Sequence, residues 1–525
     1  MNGRNIVLCS DGTGNSDTEG RGTNVFKLYE AVDIHGHRSD ATIPRQLAFY
    51  DDGVGTENFG LLKMIGAAFG YGFAQNVRDL YTALVHVYEP GDKLFLFGFS
   101  RGAYTIRAVS GMIQYCGVLD RQTLDSEAKL KQQVDACWKA FEKVAFPRFI
   151  TAKADRRRRS EPPTSSPTAD ADAAERRKGF GSHPQPAEIE FVGVWDTVGA
   201  VGMPIDALKP LVNWICPRKF DELTPGNVKR ACHALSIDDE RATFHPELWN
   251  ERGAPLGQVE QVWFAGVHSN VGGGYPKQGM SLVTLDWMMD KAQEHHLCFN
   301  KAAREYVQAQ RDVHSKLYDS RAGLAVYYRW APRDIARICS EHGIDTPKVH
   351  ASALERIATG TDGYAPGNIP AGTQIVGAHS DAGQSQTGGG LIRAELEKRG
   401  VTSLLDLRDV RRWVALGKLS YYGFLALSVF ALGWGLYRTT EVPAGAAWWE
   451  HVVAMLKALP GLASSTAAMW DLAVAVAGTW WFLPGLVICF GASLIVDHGL
   501  DRRFSGYWHA LRARLANHAA RDSTA

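Results

Sequence analysis

The feature that most constrains the fold is an apolar run leading into a serine between two glycines. Residues 94–97 (Leu-Phe-Leu-Phe) are followed by Gly98-x-Ser100-x-Gly102 and then by a segment, 103–109, that can continue as a helix. An apolar run without alternation is typical of a strand buried on both faces of a parallel sheet. In so tight a turn, a β-carbon at either glycine would collide with neighbouring backbone. The order therefore predicts a strand, a strained turn and a helix, with Ser100 at the apex.

The segments around this turn alternate between strand and helix patterns. Strands are predicted at 6–9, 45–50, 189–195 and 262–267, and helices at 24–32 and 75–89. In the second helix the apolar residues form one stripe, as expected for a helix that packs on a sheet. This alternation predicts an α/β three-layer domain with a mainly parallel sheet over residues 1–290. The strand–serine–helix order within it is that of the nucleophile elbow of α/β-hydrolases.

Composition excludes several other classes of protein. The formal net charge is +1, so nothing global indicates nucleic-acid binding. The 8 cysteines are scattered without a C-x-x-C pair, which argues against a zinc ribbon or a disulfide framework. We expect no cofactor and no metal. The first apolar run is too short for a signal peptide, which predicts synthesis that begins and stays on the reducing side of the membrane.

Residues 151–187 interrupt the alternation with arginine runs, prolines and few aliphatic residues. Their composition predicts a disordered surface insertion, and a polybasic contact with anionic lipid is the alternative. Residues 291–404 are predicted to be a mostly helical cap or accessory region.

The last part of the chain, 405–525, contains two uncharged stretches at 419–437 and 472–496. Each is long enough to span a membrane, and Pro484 is predicted to kink the second. Interfacial aromatic residues lie near the ends. They are Trp434, Tyr437, Trp448, Trp449, Trp470, Trp480 and Trp481.

Basic residues flank the two predicted spans on their outer sides and are sparse between them. By the positive-inside rule, both termini and the catalytic domain are predicted to face the cytoplasm. Residues 507–518 are predicted to form a basic amphipathic helix on the membrane surface, with an ordinary surface helix as the alternative.

A serine nucleophile needs a base, and the base needs an acid that orients it. In α/β-hydrolases these residues follow the serine in the order acid, then histidine, at the carboxyl ends of strands. Asp196 ends the predicted strand 189–195, and His268 follows the strand 262–267. The predicted catalytic residues are therefore Ser100, Asp196 and His268. Other strand-end carboxylates remain open for the acid: Asp11, Asp51, Asp52 and Asp238.

An oxyanion hole needs backbone N–H groups directed at the developing negative charge. Arg101 directly follows the serine, so its N–H is the predicted first donor. The loop after the first strand is predicted to supply the second through Gly12 or Thr13, with a plain glycine-rich turn as the alternative. The Arg101 guanidinium could hold a lipid phosphate, but a structural ion pair is favoured.

Six motifs in order together resemble one family. They are residues 8–15, 50–56, 98–104, 194–199, 234–241 and 266–275. The family is that of α/β-hydrolases of formerly unknown function which includes the first class of type VI secretion lipase effectors. The resemblance implies a Ser-Asp-His esterase of phospholipase A type, with Ser100 as nucleophile, Asp196 as acid and His268 as base.

The resemblance also sets the expected partners and location. The expected partners are a phospholipid substrate, the lipid bilayer, and an immunity protein or a secretion-system component. The two predicted spans would equally fit a resident membrane enzyme and an exported effector.

Two other classes remain as alternatives. Asp11-Gly12-Thr13 resembles the phosphate loop of actin-like ATPases or of haloacid dehalogenase-like phosphatases, although Cys9 stands where the latter need a nucleophilic aspartate. The second alternative is a non-catalytic membrane-anchored scaffold that keeps a hydrolase fold.

Overall fold

One parallel sheet organises the part of the chain that the structure, a computed structural model, describes. That part comprises residues 3–12, 22–53, 67–145, 167–199, 228–377, 382–440 and 466–522, with short pieces at 442, 447, 449–451, 453–455 and 457–458. The strands are β1 (Asn5–Ser10), β2 (Gln46–Asp51), β3 (Lys93–Phe99), β4 (Glu188–Trp195), β5 (Val228–Ser236), β6 (Val259–Phe264), β7 (Lys348–His350) and β8 (Gln374–Val376). Their order is β2-β1-β3-β4-β5-β6-β7-β8, and every neighbouring pair is parallel.

Helices cover both faces of the sheet. They are α1 (Asn24–Ala31), α2 (Ala67–Val87), α3 (Arg101–Cys116), α4 (Glu127–Ala145), α5 (Pro167–Phe180), α6 (His268–Gly272), α7 (Gly279–Gln293), α8 (Lys301–Gln310), α9 (Ile335–Glu341), α10 (Ala351–Thr359), α11 (Ala382–Lys398), α12 (Arg408–Thr439), α13 (Thr466–Ala477) and α14 (Phe482–Asp522). Successive residues of β1 point to opposite faces, so Leu8 packs with α2 and α3 whereas Val7 packs with α1 and α7. The predicted α/β three-layer architecture is confirmed.

The sheet extends beyond the predicted catalytic domain. Strands β7 and β8 lie within 291–404 and add to the edge of β6. The prediction of a mostly helical region did not include these two short strands, which together with the neighbouring helices bury a shared apolar cluster against β6. Strands of three residues carry too little pattern to be recognised in a sequence.

A helix occupies part of the interval 151–187 that was predicted to be disordered. Helix α5 covers Pro167–Phe180, and its alanine, glutamate and arginine residues favour helix. Arg176 Nε donates to the Tyr115 carbonyl at 3.1 Å, and its guanidinium stacks on the Tyr115 ring. The prediction was wrong for this part, whereas the polybasic run 156–159 lies outside the described residues.

Two C-terminal helices, α12 and α14, are long and apolar enough to cross a membrane. They lie against each other, with Ser420 Oγ donating to the Cys489 carbonyl at 3.0 Å. The first predicted span lies inside α12, but the second, 472–496, is divided between α13 and α14. Pro484 lies in the first turn of α14, where its missing N–H breaks no helical hydrogen bond, so it does not kink a continuous span.

The far end of α14 packs on the catalytic core. Tyr507, Trp508 and Leu511 are buried together with residues of β6, α9 and α10. Trp508 Nε1 donates to the Pro366 carbonyl at 2.7 Å. The predicted amphipathic helix on the membrane surface was therefore wrong, because its apolar side covers protein.

Candidate active site

Ser100 lies in a strained turn between β3 and α3. Its φ of 58° and ψ of −121° are unusual for a residue with a side chain, and its N–H donates to the Trp195 carbonyl at 3.0 Å. A β-carbon at Gly98 would lie 2.6 Å from the Gly102 carbonyl oxygen. One at Gly102 would lie 2.1 Å from the carbonyl oxygen of Ser10. Both predicted glycines are therefore required, and Gly102 lets the loop after β1 approach the serine.

Gly102→Ala is expected to destabilise the protein by about 1–3 kcal/mol, because the new β-carbon meets backbone rather than a movable side chain. Urea unfolding of the purified variant measures the change. Gly179→Ala in α5 is the matched control, since a β-carbon there meets nothing within 4 Å. Equal free energies of unfolding for the two variants would contradict this account of the turn.

The three predicted side chains meet above the carboxyl ends of β3, β4 and β6. His268 Nε2 lies 2.8 Å from Ser100 Oγ, and His268 Nδ1 lies 2.6 Å from Asp196 Oδ2. Asp196 directly follows β4, whereas His268 begins α6 rather than ending a strand. The distances fit a neutral imidazole that donates from Nδ1 to the carboxylate and accepts the serine hydroxyl at Nε2.

Aromatic rings hold the imidazole of His268 in place. The Phe99 ring lies 4.6 Å from it between centroids, and the Phe244 ring meets it edge-on at 5.1 Å. All three side chains of the candidate site are buried. The packing leaves His268 little rotational freedom, so its two nitrogens stay directed at the serine and the acid.

Arg333 is a member of the site that sequence reasoning missed. Its Nη1 and Nη2 donate to the two oxygens of Asp196 at 2.6 and 2.8 Å, and they also donate to the carbonyls of Ser236 and Phe244. The Ser236 backbone N–H donates to Asp196 Oδ1 at 2.9 Å. Although burial opposes ionisation, Arg333 holds the pKa of Asp196 well below its usual range.

Burial lowers the pKa of His268 below its usual value, and the neighbouring Asp196 only partly opposes this. A general base must be neutral, so activity is lost as pH falls through the pKa of the base. We expect kcat/KM for a soluble ester to be flat at neutral pH, with its acidic limb below the ordinary histidine value of about 6.5. A pH–rate profile measures this, and an acidic limb centred above that value would contradict it.

The other strand-end carboxylates have different partners. Asp11 accepts from Tyr50 Oη at 2.8 Å, and Asp51 accepts from Ser10 Oγ at 2.9 Å. Asp238 accepts from Tyr364 Oη at 2.8 Å, and Asp52 is exposed. Of the candidate acids, Asp196 is the one whose hydrogen bond to His268 is seen.

The structure supports the predicted oxyanion donors to different degrees. Arg101 is the first residue of α3, and N–H groups at a helix N-terminus suit a bound anion. The N–H of Gly12 instead donates to Asp11 Oδ1 at 2.6 Å. In this structure it is therefore engaged in a hydrogen bond within its own loop. Thr13 lies outside the described residues. The Arg101 guanidinium is partly buried near Tyr328, and this burial lowers its pKa to about 10.

Within the described residues, no group of three or more histidine, cysteine, aspartate or glutamate side chains is arranged to hold a metal ion.

A serine on the strand-to-helix turn of a parallel sheet, followed along the chain by an aspartate and then a histidine, defines an α/β-hydrolase fold. The model of one family within that class, described as "T6SS, Phospholipase effector Tle1-like, catalytic domain", matches residues 4–291. The chain belongs to this family of type VI secretion system phospholipase effectors.

One relative and two solved structures are also similar to this chain. An uncharacterized protein of Saccharomyces cerevisiae, YEL023C, is 28% identical over 255 residues, which are 46% of this chain and 32% of that protein. The chain thus spans about a third of this relative. A crystal structure of an uncharacterized protein from Pseudomonas aeruginosa is 16% identical with a TM-score of 0.33, covering 92% of this chain and 63% of that one. A structure of the Tle1 effector bound to the VgrG spike from the type 6 secretion system is 16% identical with a TM-score of 0.28, covering 52% of this chain and 51% of that one.

Proposed function

We propose that the protein is a membrane-associated serine phospholipase of A type. The observation that carries this proposal is the unbroken series of contacts from Ser100 through His268 and Asp196 to Arg333. The family to which residues 4–291 belong supports a phospholipid as the substrate.

In the first step, Ser100 Oγ attacks the carbonyl carbon of a phospholipid acyl ester while His268 Nε2 accepts the serine proton. The N–H of Arg101 stabilises the oxyanion that forms on the carbonyl oxygen. The intermediate then breaks its bond to the glycerol oxygen, which takes the proton from His268 and leaves as a lysophospholipid.

In the second step, water attacks the acyl–serine ester, with His268 accepting the proton of the water. Collapse of the second intermediate releases the fatty acid and returns the proton to Ser100. Asp196 keeps the imidazole oriented in both steps and stabilises its positive charge. Arg333 positions Asp196 and does not touch the substrate.

The two helices α12 and α14 would anchor the enzyme at the lipid bilayer that holds its substrate. In keeping with its family, the protein would act as an effector exported into a target cell, and the producing cell would need an immunity protein. The proposed orientation keeps the catalytic domain on the cytoplasmic side, where the flanking cations lie.

Incubation of the purified full chain with vesicles of one defined phospholipid tests the proposed function. Fatty acid and lysophospholipid in equal amounts are the expected products, identified by mass spectrometry. Release of inorganic phosphate from ATP or from a phosphomonoester, with no fatty acid, would overturn the proposal and favour the phosphate-loop alternative at Asp11. A folded protein that releases no product and does not react with a fluorophosphonate probe would favour the non-catalytic scaffold.

A further inference from the structure

A large cavity lies beside the candidate active site, between the catalytic core and helices α12 and α14. Its volume is about 1370 Å³, which exceeds the roughly 300–1,000 Å³ typical of small-molecule sites. Neither Ser100 nor His268 lines it, but Val267, the neighbour of His268, and Arg333 do. The cavity is therefore separate from the serine and adjoins the residues that position the histidine and the acid.

The lining changes from apolar to charged along α14. Leu483, Val487 and Phe490 line one part of the cavity, and all three side chains are largely exposed. Further along α14, Asp497 and Asp501 line the other part. This order of polarity, along a helix apolar enough to cross a membrane, is the order of acyl chains and headgroup in a bilayer leaflet.

The charged part of the cavity carries both signs of charge. Arg321, Asp319 and Glu240 line it together with Asp497. The Nε of Arg321 is buried and has no hydrogen-bond acceptor among the described residues. Burial raises the pKa of Glu240 to about 7 although Arg321 opposes the rise. A cavity wall that carries both signs of charge suits a ligand that itself carries both signs, and the raised pKa of Glu240 indicates that this carboxylate is poorly compensated.

We propose that this cavity binds one diacyl glycerophospholipid with a zwitterionic headgroup, taken from the bilayer. The acyl chains would lie along the apolar part of α14, the phosphate would accept from Arg321, and the ammonium group would face the carboxylates. This proposal rests on the proposed function, because it makes the cavity the place where the enzyme holds its lipid before the ester reaches Ser100.

One short segment, Tyr327 and Tyr328, connects residues that line the cavity, Tyr421 and Phe424, with the aromatic rings over His268. The Tyr327 ring lies 5.1 Å from the ring of Phe424 on α12, and Tyr421 Oη donates to the Tyr327 carbonyl at 2.8 Å. The next residue, Tyr328, packs edge-on at 5.3 Å against Phe244, which itself covers His268. The rings of Tyr328 and Phe244 therefore lie between this segment and the imidazole.

Native mass spectrometry of the detergent-solubilised full chain tests this site. Ser100→Ala is present in every sample, so that no lipid is consumed. We expect one bound dioleoyl phosphatidylethanolamine per chain. Ser493→Trp places an indole in the cavity and should weaken this binding at least tenfold. Ile495→Trp is the matched control, because Ile495 lies on the exposed side of the same helix and does not line the cavity.

Two further comparisons test the headgroup contacts. Arg321→Gln should weaken binding of dioleoyl phosphatidylethanolamine several-fold and leave binding of dioleoylglycerol, which has no phosphate, unchanged. Dioleoyl phosphatidylglycerol, which has no ammonium group, should bind more weakly than phosphatidylethanolamine. Equal lipid binding by the Ser493→Trp and Ile495→Trp variants, or equal binding of the two phospholipids, would overturn the proposal. Failure of the proposed function would appear separately, as absence of hydrolysis by the unsubstituted chain.

Discussion

Ser100→Ala is expected to lower kcat for phospholipid hydrolysis by roughly 10⁴- to 10⁶-fold, as removal of the nucleophile does in other serine hydrolases. The loss should appear in kcat rather than in KM, because the hydroxyl acts on the ester in the transition state and adds little to substrate binding. Initial rates of fatty-acid release, measured over a range of phospholipid concentrations up to saturation, give both constants.

Ser110→Ala is the matched control for this substitution. Ser110 is also buried in α3, but its hydroxyl accepts from Gln114 and lies in the helix interior, away from His268. Its removal should leave kcat within a factor of about two. Undiminished turnover in the Ser100→Ala variant would contradict the proposed mechanism, whatever the control shows.

Arg333→Met is expected to have the second largest effect, because it leaves the fully buried Asp196 carboxylate without its cation. Breaking a buried ion pair from one side costs about 3–5 kcal/mol of stability. The uncompensated negative charge should also raise the pKa of His268, so the acidic limb of the pH–rate profile should move to higher pH. Denaturant unfolding and a pH profile of kcat/KM measure the two effects.

Arg356→Met separates positioning from simple loss of stability. Arg356 is as deeply buried as Arg333, but it donates to the carbonyls of Val313 and Ser315 and to Asp362. The Arg356→Met substitution should therefore lower the free energy of unfolding without moving the pH profile of kcat/KM. If both variants leave the acidic limb unchanged, Arg333 has a structural role only. Arg333→Lys should keep part of the effect, since it retains the charge but not the two parallel hydrogen bonds.

The features that the sequence indicated and the structure contains are mostly encoded by neighbouring residues. The elbow at Ser100 is a local pattern in which two glycines permit a turn that other residues would block. The strands around it were recognisable because each contains an apolar run of at least four residues. The order of Asp196 and His268 along the chain followed from the fold, and the structure brings both side chains to the serine.

The features that the sequence did not reveal depend mostly on which parts of the chain meet in the fold. Arg333 lies 137 positions beyond Asp196 and belongs to no motif, so only the folded chain reveals their contact. The amphipathic pattern at 507–518 showed that one side of the helix would be buried, but it could not distinguish protein from membrane as the covering surface. The break between α13 and α14 was missed because hydropathy averages over residues 478–481, where the helix stops.

The position of α14 in the chain sets when the hydrolase core can be completed during synthesis. Its buried residues Tyr507, Trp508 and Leu511 complete an apolar cluster that includes Trp263 of β6 and Ile357 of α10. A ribosome delivers these residues only after it has delivered α12 and the apolar first half of α14. The apolar edge of the hydrolase core therefore stays uncovered during translation until α12 and the apolar first half of α14 have emerged. Completion of the core thus follows the first opportunity for membrane insertion.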